Sequence, residues 1–399
     1  MPRQIIIIGG GVGGTITANM LARQLRPHEA EITLIDSTGR HVYMPFWLYM
    51  PFNDSDPQSQ LLVRDERTLL HQRVHLLIGQ VEQIDVANHQ VHVSQSSALE
   101  PASGKRESVL VYDDLVLATG ARLAFADLPG LEEGPGVWHH FYDTEGALRL
   151  RQALSTFPGG RIVIAVAGIP YRCPPAPLEF TFLLDDWLRQ HCLREHTVIE
   201  YLYPLPRVFT IERVAEMVAP LLEEREIATR VFFTPEAIDQ QRRVIRSLEG
   251  EEVPFDLLIL VPPHRGAQVI EASGLGDSQG WIPTDRHTLQ VKGQEHVYAL
   301  GDATDLPVPK SGSTAHFEAR VLARRLVAAI RGEALEGDEG LYDGEVMCFL
   351  ETGNRQATQL VFNYEHPPEP PRPSLFYHLE KQLLNHAYWH LTPPGSHLG

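Results

Sequence analysis

The chain has 399 residues, enough for two or three domains, and a globular composition with 43% hydrophobic and 21% charged residues. Its formal net charge of −17 argues against nucleic acid as a partner, because phosphate binding needs a basic surface. Three cysteines (Cys173, Cys192 and Cys348), none in a C-x-x-C pair, argue against a secreted disulfide framework and against a metal site.

Ile5-Ile6-Ile7-Ile8 is a continuous apolar run of the kind found in a buried parallel strand. Gly9-Gly10-Gly11-Val12-Gly13-Gly14 follows at once. A helical stretch runs from Thr15 to Leu25, and a second strand from Glu31 to Ile35 ends at Asp36. Gly9, Gly11 and Gly14 match G-x-G-x-x-G inside this βαβ unit, which predicts a dinucleotide site. Gly9 permits the turn, Gly11 lets backbone approach a pyrophosphate, and Gly14 lets the helix pack close to the strand. The diphosphate then sits at the helix N-terminus, where free N–H groups favour negative charge. Asp36 is placed to accept hydrogen bonds from an adenosine ribose. The strand begins directly after Met-Pro-Arg, with no basic-then-apolar segment before it. No stretch approaches the roughly 18 apolar residues of a spanning helix. The expectation is a protein kept in the cytoplasm, with attachment to a membrane surface left open.

Alternation from Val74 to Val93, broken near Asn88, predicts paired strands, and Ser108 to Ala118 predicts another. A second α/β block opens at Arg161–Val166. It continues with a helix from about Leu178 to Arg194 and strands at Val198–Tyr203 and Asp256–Val261. Val297–Leu300 is a strand running into Gly301-Asp302, and a helix spans about Gly312 to Arg331. Pro367, Pro368, Pro370, Pro371 and Pro373 form an extended spacer before a final amphipathic helix, about Ser374 to Leu391. Phe376, Leu379, Leu383 and Ala387 share one stripe of that helix, widened by Leu384, Tyr388 and Leu391. His378, Lys381, Gln382, Asn385 and His386 lie opposite, with Trp389. Aromatic rings beside leucines suit a membrane interface, and packing on the protein or a partner is the alternative.

At the start of the middle block, where a second glycine loop would stand, the chain reads Ala165-Val166-Ala167-Gly168-Ile169-Pro170-Tyr171-Arg172-Cys173-Pro174-Pro175. One glycine and several bulky side chains obstruct a pyrophosphate, so no nicotinamide cofactor is expected there. Cys173 stands at a helix entrance beside Arg172, which predicts a depressed thiol pKa, the alternative being a buried core cysteine. By themselves Cys348, in a strand-like stretch, and Cys192 read as core.

Leu117-Ala118-Thr119-Gly120 and Ala299-Leu300-Gly301-Asp302 resemble signatures of the two-dinucleotide-domain flavoprotein superfamily. Four further segments resemble the sulfide:quinone oxidoreductases: Tyr171 to Phe180 around Cys173, Arg40-His41-Val42-Tyr43-Met44-Pro45, Val261 to Gly266, and Gly301 to Lys310. The resemblance implies an α/β fold of two Rossmann-like dinucleotide-binding domains, as in glutathione-reductase-like flavoproteins, plus a C-terminal membrane-associating region. The implied domains are 1–120 with 278–331 for FAD, 121–277 without a nicotinamide loop, and 332–399. FAD is the implied cofactor, held by Gly9, Gly11, Gly13, Gly14, Asp36, Val81, Thr119, Gly120, Gly301, Asp302 and Lys310. Cys173 and Cys348 fall on a redox pair, bridged directly or through sulfur, that hydrosulfide attacks. Glu179 matches a proton-relaying glutamate, and Lys310 a cation that stabilises reduced flavin. Sulfur leaves as polysulfide or elemental sulfur, and electrons pass to membrane quinone, with Phe349 and Phe376 as quinone contacts. The implied location is the cytoplasmic face of the cell membrane, peripherally attached, with a homo-oligomer left open.

The sequence departs from that pattern in two places. Gly136 to Phe141 holds His139 and His140 but no third cysteine, and Tyr203-Pro204-Leu205-Pro206-Arg207 lacks a histidine found in some members. Three alternatives stay open: the flavoprotein of a flavocytochrome sulfide dehydrogenase, a type-2 NADH:quinone dehydrogenase, and a non-catalytic flavin-binding redox sensor.

Overall fold

The computed structural model describes residues 1–53, 62–95, 106–131 and 136–395; the last four residues of the expected C-terminal region lie outside these. The isoleucine run forms β1 (Arg3–Ile8). Ile5 and Ile7 enter one hydrophobic cluster and Ile6 and Ile8 another, so both faces of the strand are covered and no polar residue is tolerated. There follow α1 (Val12–Gln24), β2 (Ala30–Asp36), β3 (Val74–Ile78) and β4 (Asp114–Leu117). The middle of the chain gives β5 (Trp138–His139), β6 (Gly160–Val166), α2 (Ala176–Gln190), β7 (Thr197–Leu202), β8 (Ala228–Arg230) and β9 (Leu257–Val261). The last part supplies β10 (Val297–Ala299), α3 (Gly312–Arg331), β11 (Val346–Gly353), β12 (Gln356–Phe362) and α4 (Leu375–Leu391).

Two five-stranded parallel sheets result. The first has the order β10-β4-β1-β2-β3, and the second β5-β9-β6-β7-β8. Because β10 returns to the first sheet after the second is complete, the two doubly wound units are interleaved in sequence. α1 packs against α3 over the first sheet. β11 and β12 form an antiparallel ribbon that packs on α2 and α4.

The strand expected from Ser108 to Ala118 is two strands. Arg106–Val111 joins an antiparallel three-stranded sheet, and the chain then crosses at Tyr112-Asp113 into β4. Asp113 marks the crossing by accepting the Gln4 N–H at 2.7 Å. Helices at Thr144–Ser155 and Glu212–Glu224 were not anticipated, although Asp143 caps the first by accepting the Gly146 N–H at 2.6 Å. The proline spacer lies without helix or strand and is fastened to β12 by the Thr358 hydroxyl, which donates to the Pro371 carbonyl at 2.7 Å.

α2 leaves the Cys173 loop at one end and is anchored at the other by a buried carboxylate. Asp185 is fully buried and accepts from Arg189 at 2.9 Å, Arg194 at 2.5 Å and Arg225 at 2.6 Å. Burial pushes its pKa up, but hydrogen bonds from the three arginines more than offset this and hold it below the ordinary value. Asp185→Asn should therefore lower the unfolding free energy at pH 7 by about 3 kcal/mol, the usual loss when one partner of a buried ion pair goes. A depressed carboxyl contributes stability above its unfolded pKa and loses it as pH falls through the folded one. In urea titrations the difference between the two proteins should shrink below about pH 4.

Candidate active site

The glycine loop lies at the edge of the first sheet where strand order reverses, between β1 and β4. Its glycines divide the work. Gly9 has φ +108°, and a Cβ there would run into the Ala118 carbonyl; a Cβ at Gly14 would run into the Gly9 carbonyl. At Gly11 a Cβ would meet nothing within 4 Å, so this is the open position of the loop, beside the N-terminus of α1. Gly13, expected at the cofactor, instead lets α1 approach Leu300. Val81, also expected there, sits in the core behind the first sheet, 5% exposed. Asp36 accepts the Gly10 N–H at 2.9 Å through Oδ2, while its Oδ1 takes the N–H groups of Thr38 at 2.8 Å and Gly39 at 2.7 Å. Oδ2, with one partner, is the oxygen open to a ribose hydroxyl.

Farther along the same edge, Gly120 (φ +65°) faces open space, and the Thr119 hydroxyl and Asp302 Oδ1 are buried without a partner. Burial raises the Asp302 pKa, against the pull of Lys310 and Arg172. Buried polar atoms without partners are rare in folded proteins, and these fit the hydroxyl-rich linker of a bound dinucleotide. Open Gly11, Asp36 Oδ2, Thr119 and Asp302 together fit FAD.

Lys310 does not point freely at such a cofactor. Its ammonium donates to the carbonyls of Asp302 at 2.9 Å and Thr304 at 2.7 Å and lies 3.9 Å from the centre of the Trp281 ring. Burial lowers its pKa to about 8, with Asp302 pulling the other way. It pins the Asp302 loop, and its influence on a flavin passes through that loop.

The two cysteines meet at one segment. The Cys173 N–H donates to the Lys310 carbonyl at 2.7 Å, and the Cys348 thiol lies 3.9 Å from both the Ser311 and Ser313 hydroxyls. Both are free thiols. The depression expected at Cys173 is absent. Cys173 opens to solvent, but the protein packed around it raises its thiol pKa, and Glu179 and Cys348 add to the rise. Burial raises Cys348 as well, with the Ser313 and Ser311 hydroxyls opposing. Cys192 lies apart, exposed beyond the end of α2.

Glu179 is buried in the first turns of α2 and paired with Lys381 of α4. It also accepts the Glu351 N–H at 2.9 Å. Burial raises its pKa, and Lys381 opposes this. Glu351, buried on β11, accepts from His378 at 3.0 Å and from the Tyr49 hydroxyl at 3.4 Å. The polar side of α4 is thus the side that docks. Lys381 is 8% exposed and Trp389 5%, whereas Phe376 is 67%, Leu379 50% and Leu383 69% exposed. Tyr388, expected on the apolar stripe, is buried and bonds His41 Nε2 at 2.7 Å; His41 in turn meets the buried Glu66 at 3.0 Å. Phe349 is half-buried next to Cys348, and Phe376 stands on the outer face of α4. His139 and His140 are pushed down to about 4 by burial.

Lys381, Glu351, Ser311 and Ser313 were not singled out in the sequence. One signal was available for the first. Only four lysines stand among 34 basic residues, and two of these, Lys310 and Lys381, are buried.

With this geometry in place, the relatives are informative. The family model for pyridine nucleotide-disulphide oxidoreductases matches residues 3–319. The mitochondrial sulfide:quinone oxidoreductase of Mus musculus is 23% identical, over 98% of this chain and 86% of that protein. A type II NADH:quinone oxidoreductase of Staphylococcus aureus is 22% identical, over 90% of each. The crystal structure of the sulfide:quinone oxidoreductase from Aquifex aeolicus superposes with a TM-score of 0.82 at 22% identity, covering 99% of this chain and 92% of that one. The chain belongs to the pyridine nucleotide-disulphide oxidoreductase family and is an FAD-binding oxidoreductase, with a likeness to sulfide:quinone oxidoreductases that runs along nearly the whole chain.

Proposed function

We propose that the protein oxidises sulfide at Cys173 and Cys348 and delivers the electrons through FAD to a quinone at a membrane surface. The observation that carries this is the convergence of two cysteines, 175 positions apart in the sequence, on residues 310–313. The same segment pins the Asp302 loop of the cofactor site. Bound there, FAD supplies a two-electron carrier that accepts from one side of the reaction and gives to the other.

The protein's own groups set the sulfur chemistry. Both thiols are pushed up by burial, so a free thiolate is not held in readiness. A pair bridged through sulfur needs none. Hydrosulfide attacks the bridge, a new S–S bond forms to one cysteine, the old S–S bond breaks, and the other cysteine leaves as thiolate. Lys381 stabilises that negative charge, since its ammonium favours the ionised form of both cysteines. Glu179, raised by burial, is suited to take up the S–H proton of the new persulfide. The Ala165–Pro175 stretch, with Gly168 as its one glycine, offers no place for a nicotinamide diphosphate.

The quinone side rests on α4. No helix among the described residues is long and apolar enough to cross a membrane. α4 nevertheless turns Leu375, Phe376, Leu379 and Leu383 to solvent while His378, Lys381, Asn385 and Tyr388 bond to the protein. An apolar stripe held outward by polar docking suits insertion into the headgroup region, from which a hydrophobic quinone is drawn.

Anaerobic mixing with sulfide should bleach the oxidised flavin band, and a short-chain quinone should restore it. Bleaching by NADH in place of sulfide would overturn the proposal. Cys173→Ser and Cys348→Ser should each reduce sulfide-driven bleaching at least 100-fold, as loss of a covalent nucleophile does, while Cys192→Ser should leave it unchanged. Leu379→Glu with Leu383→Glu should release the protein from lipid vesicles in a flotation assay without slowing the sulfide half-reaction. Retention on vesicles would exclude α4 as the attachment.

A further inference from the structure

The two parallel sheets share one layout. In the second, strand order reverses between β6 and β9, as it does between β1 and β4 in the first. Doubly wound sheets bind ligands at the carboxyl ends of strands at such a reversal. The loops leaving β5, β6 and β9 meet there, and they bring Tyr142, Arg172 and His264 together. The rings of Tyr142 and His264 stand edge-on at 5.1 Å. Arg172 donates through Nη2 to the Tyr142 carbonyl at 2.9 Å, and its guanidinium carbon lies 5.8 Å from the Tyr142 ring.

Each of the three side chains keeps a buried polar atom with no partner: Arg172 Nε, the Tyr142 hydroxyl and His264 Nε2. Arg172 has no ion pair among the described residues; its guanidinium also lies near Met44 Sδ at 3.5 Å and the Trp47 ring at 5.9 Å, and Asp302 and Asp143 act on it only from beyond ion-pair distance. Burial works against this charge and Asp302 opposes that through space, so an anion bound directly to the guanidinium would offset more of the cost. His264 Nδ1 lies 2.8 Å from the Pro262 carbonyl, so it carries the proton and leaves Nε2 as a bare acceptor. Burial, with Arg172 and Lys310 adding to it, keeps that imidazole neutral. The crevice thus offers one cation, one O–H donor and one acceptor. It lies beside Cys173, which is exposed and follows Arg172 in the chain, and Ile169, Pro170 and Tyr171 leave no glycine-lined approach for a nucleotide diphosphate.

A ligand matching this set is a small monoanion with one hydrogen to donate. We propose that Arg172, Tyr142 and His264 form the subsite for hydrosulfide, bound as HS⁻. The Arg172 Nε–H and the Tyr142 hydroxyl donate to its sulfur, and its S–H donates to His264 Nε2. The proposal rests on the sulfide-oxidising function above and adds the ionisation state taken and the residues that select it. Arg172 acts here as a binding group, supplying the substrate at Cys173.

The test is steady-state and rapid-mixing kinetics on the flavin-loaded enzyme. Arg172→Met should raise the KM for sulfide about 10- to 100-fold, as expected for charge-assisted hydrogen bonds, with kcat within a few-fold of wild type. Arg172→Lys should recover part of that loss, and Tyr142→Phe should raise KM several-fold without disturbing the flavin spectrum. A fall confined to kcat, or an unchanged KM in Arg172→Met, would overturn the subsite while leaving sulfide oxidation standing. A wild-type enzyme inert to sulfide would instead overturn the function. Flavin content and near-ultraviolet circular dichroism separate loss of binding from loss of fold, and Tyr142→Phe, which removes only a hydroxyl, remains decisive should Arg172→Met fail to fold.

Discussion

The site depends first on one backbone hydrogen bond, from the Cys173 N–H to the Lys310 carbonyl at 2.7 Å. It joins the loop that leaves the second sheet to the loop that returns from the first. Cys173 pays for this position in conformation, with φ at +54°, a region that residues other than glycine seldom occupy. The geometry persists because both sides are fixed. Arg172 forms an isolated parallel bridge with Lys310, and the Ala176 N–H holds the Cys173 carbonyl at 2.9 Å as the chain enters α2. The Lys310 side chain extends the clamp by binding two carbonyls of the Asp302 loop. The cysteines and the Asp302 loop of the cofactor site are thereby set on one seam.

A second constraint follows from burying Glu179 beside that seam. A carboxylate in such a place is costly alone, and the chain answers with Lys381 from a helix more than 200 residues later. The consequence reaches the outer surface. With Lys381, His378, Asn385 and Tyr388 committed to inward partners, α4 has its polar face against the protein. Its leucines and Phe376 are left outside. The Glu179–Lys381 ion pair near the cysteines is therefore also what orients the apolar stripe, and the cysteine site and the exposed face of α4 are two ends of one packing decision.

The part of this legible in the sequence was the part written locally. The run Ile5–Ile8, the three glycines and Asp36 are neighbours in the chain, and their fixed spacing maps directly onto strand, turn, helix and strand. The scarcity of glycines before Cys173, with Gly168 alone, was equally local. Cys348 was legible only through family resemblance, since a cysteine in an apolar strand carries no sign of its partner. The inward partners of α4 were not legible for a physical reason. Periodicity reports where apolar residues lie on a helix and not which side meets the protein, and here the deciding partners, Glu179 and Glu351, belong to α2 and β11. The Cys173 thiol was misjudged similarly. A neighbouring arginine and a helix entrance favour thiolate, but burial and Glu179 outweigh them, and burial cannot be read from adjacent residues.

The distribution of charge around Cys173 completes the picture. Two cations reach the region, and they differ in what already balances them. Lys381 is paired with Glu179, and even so paired it favours the ionised form of both cysteines. Arg172 has no carboxylate partner within ion-pair distance among the described residues, and its nearest acceptor is the Tyr142 carbonyl. On the proposed mechanism, a negative charge arriving next to Cys173 would meet a guanidinium with no carboxylate at ion-pair distance, whereas one released by bond cleavage would meet an ammonium freed to the extent that Glu179 takes up a proton. The first arrangement favours binding of an anion and the second favours its formation during reaction. Catalysis requires that these two be separate, because a cation that held the substrate and the developing thiolate equally would strengthen binding without lowering the barrier.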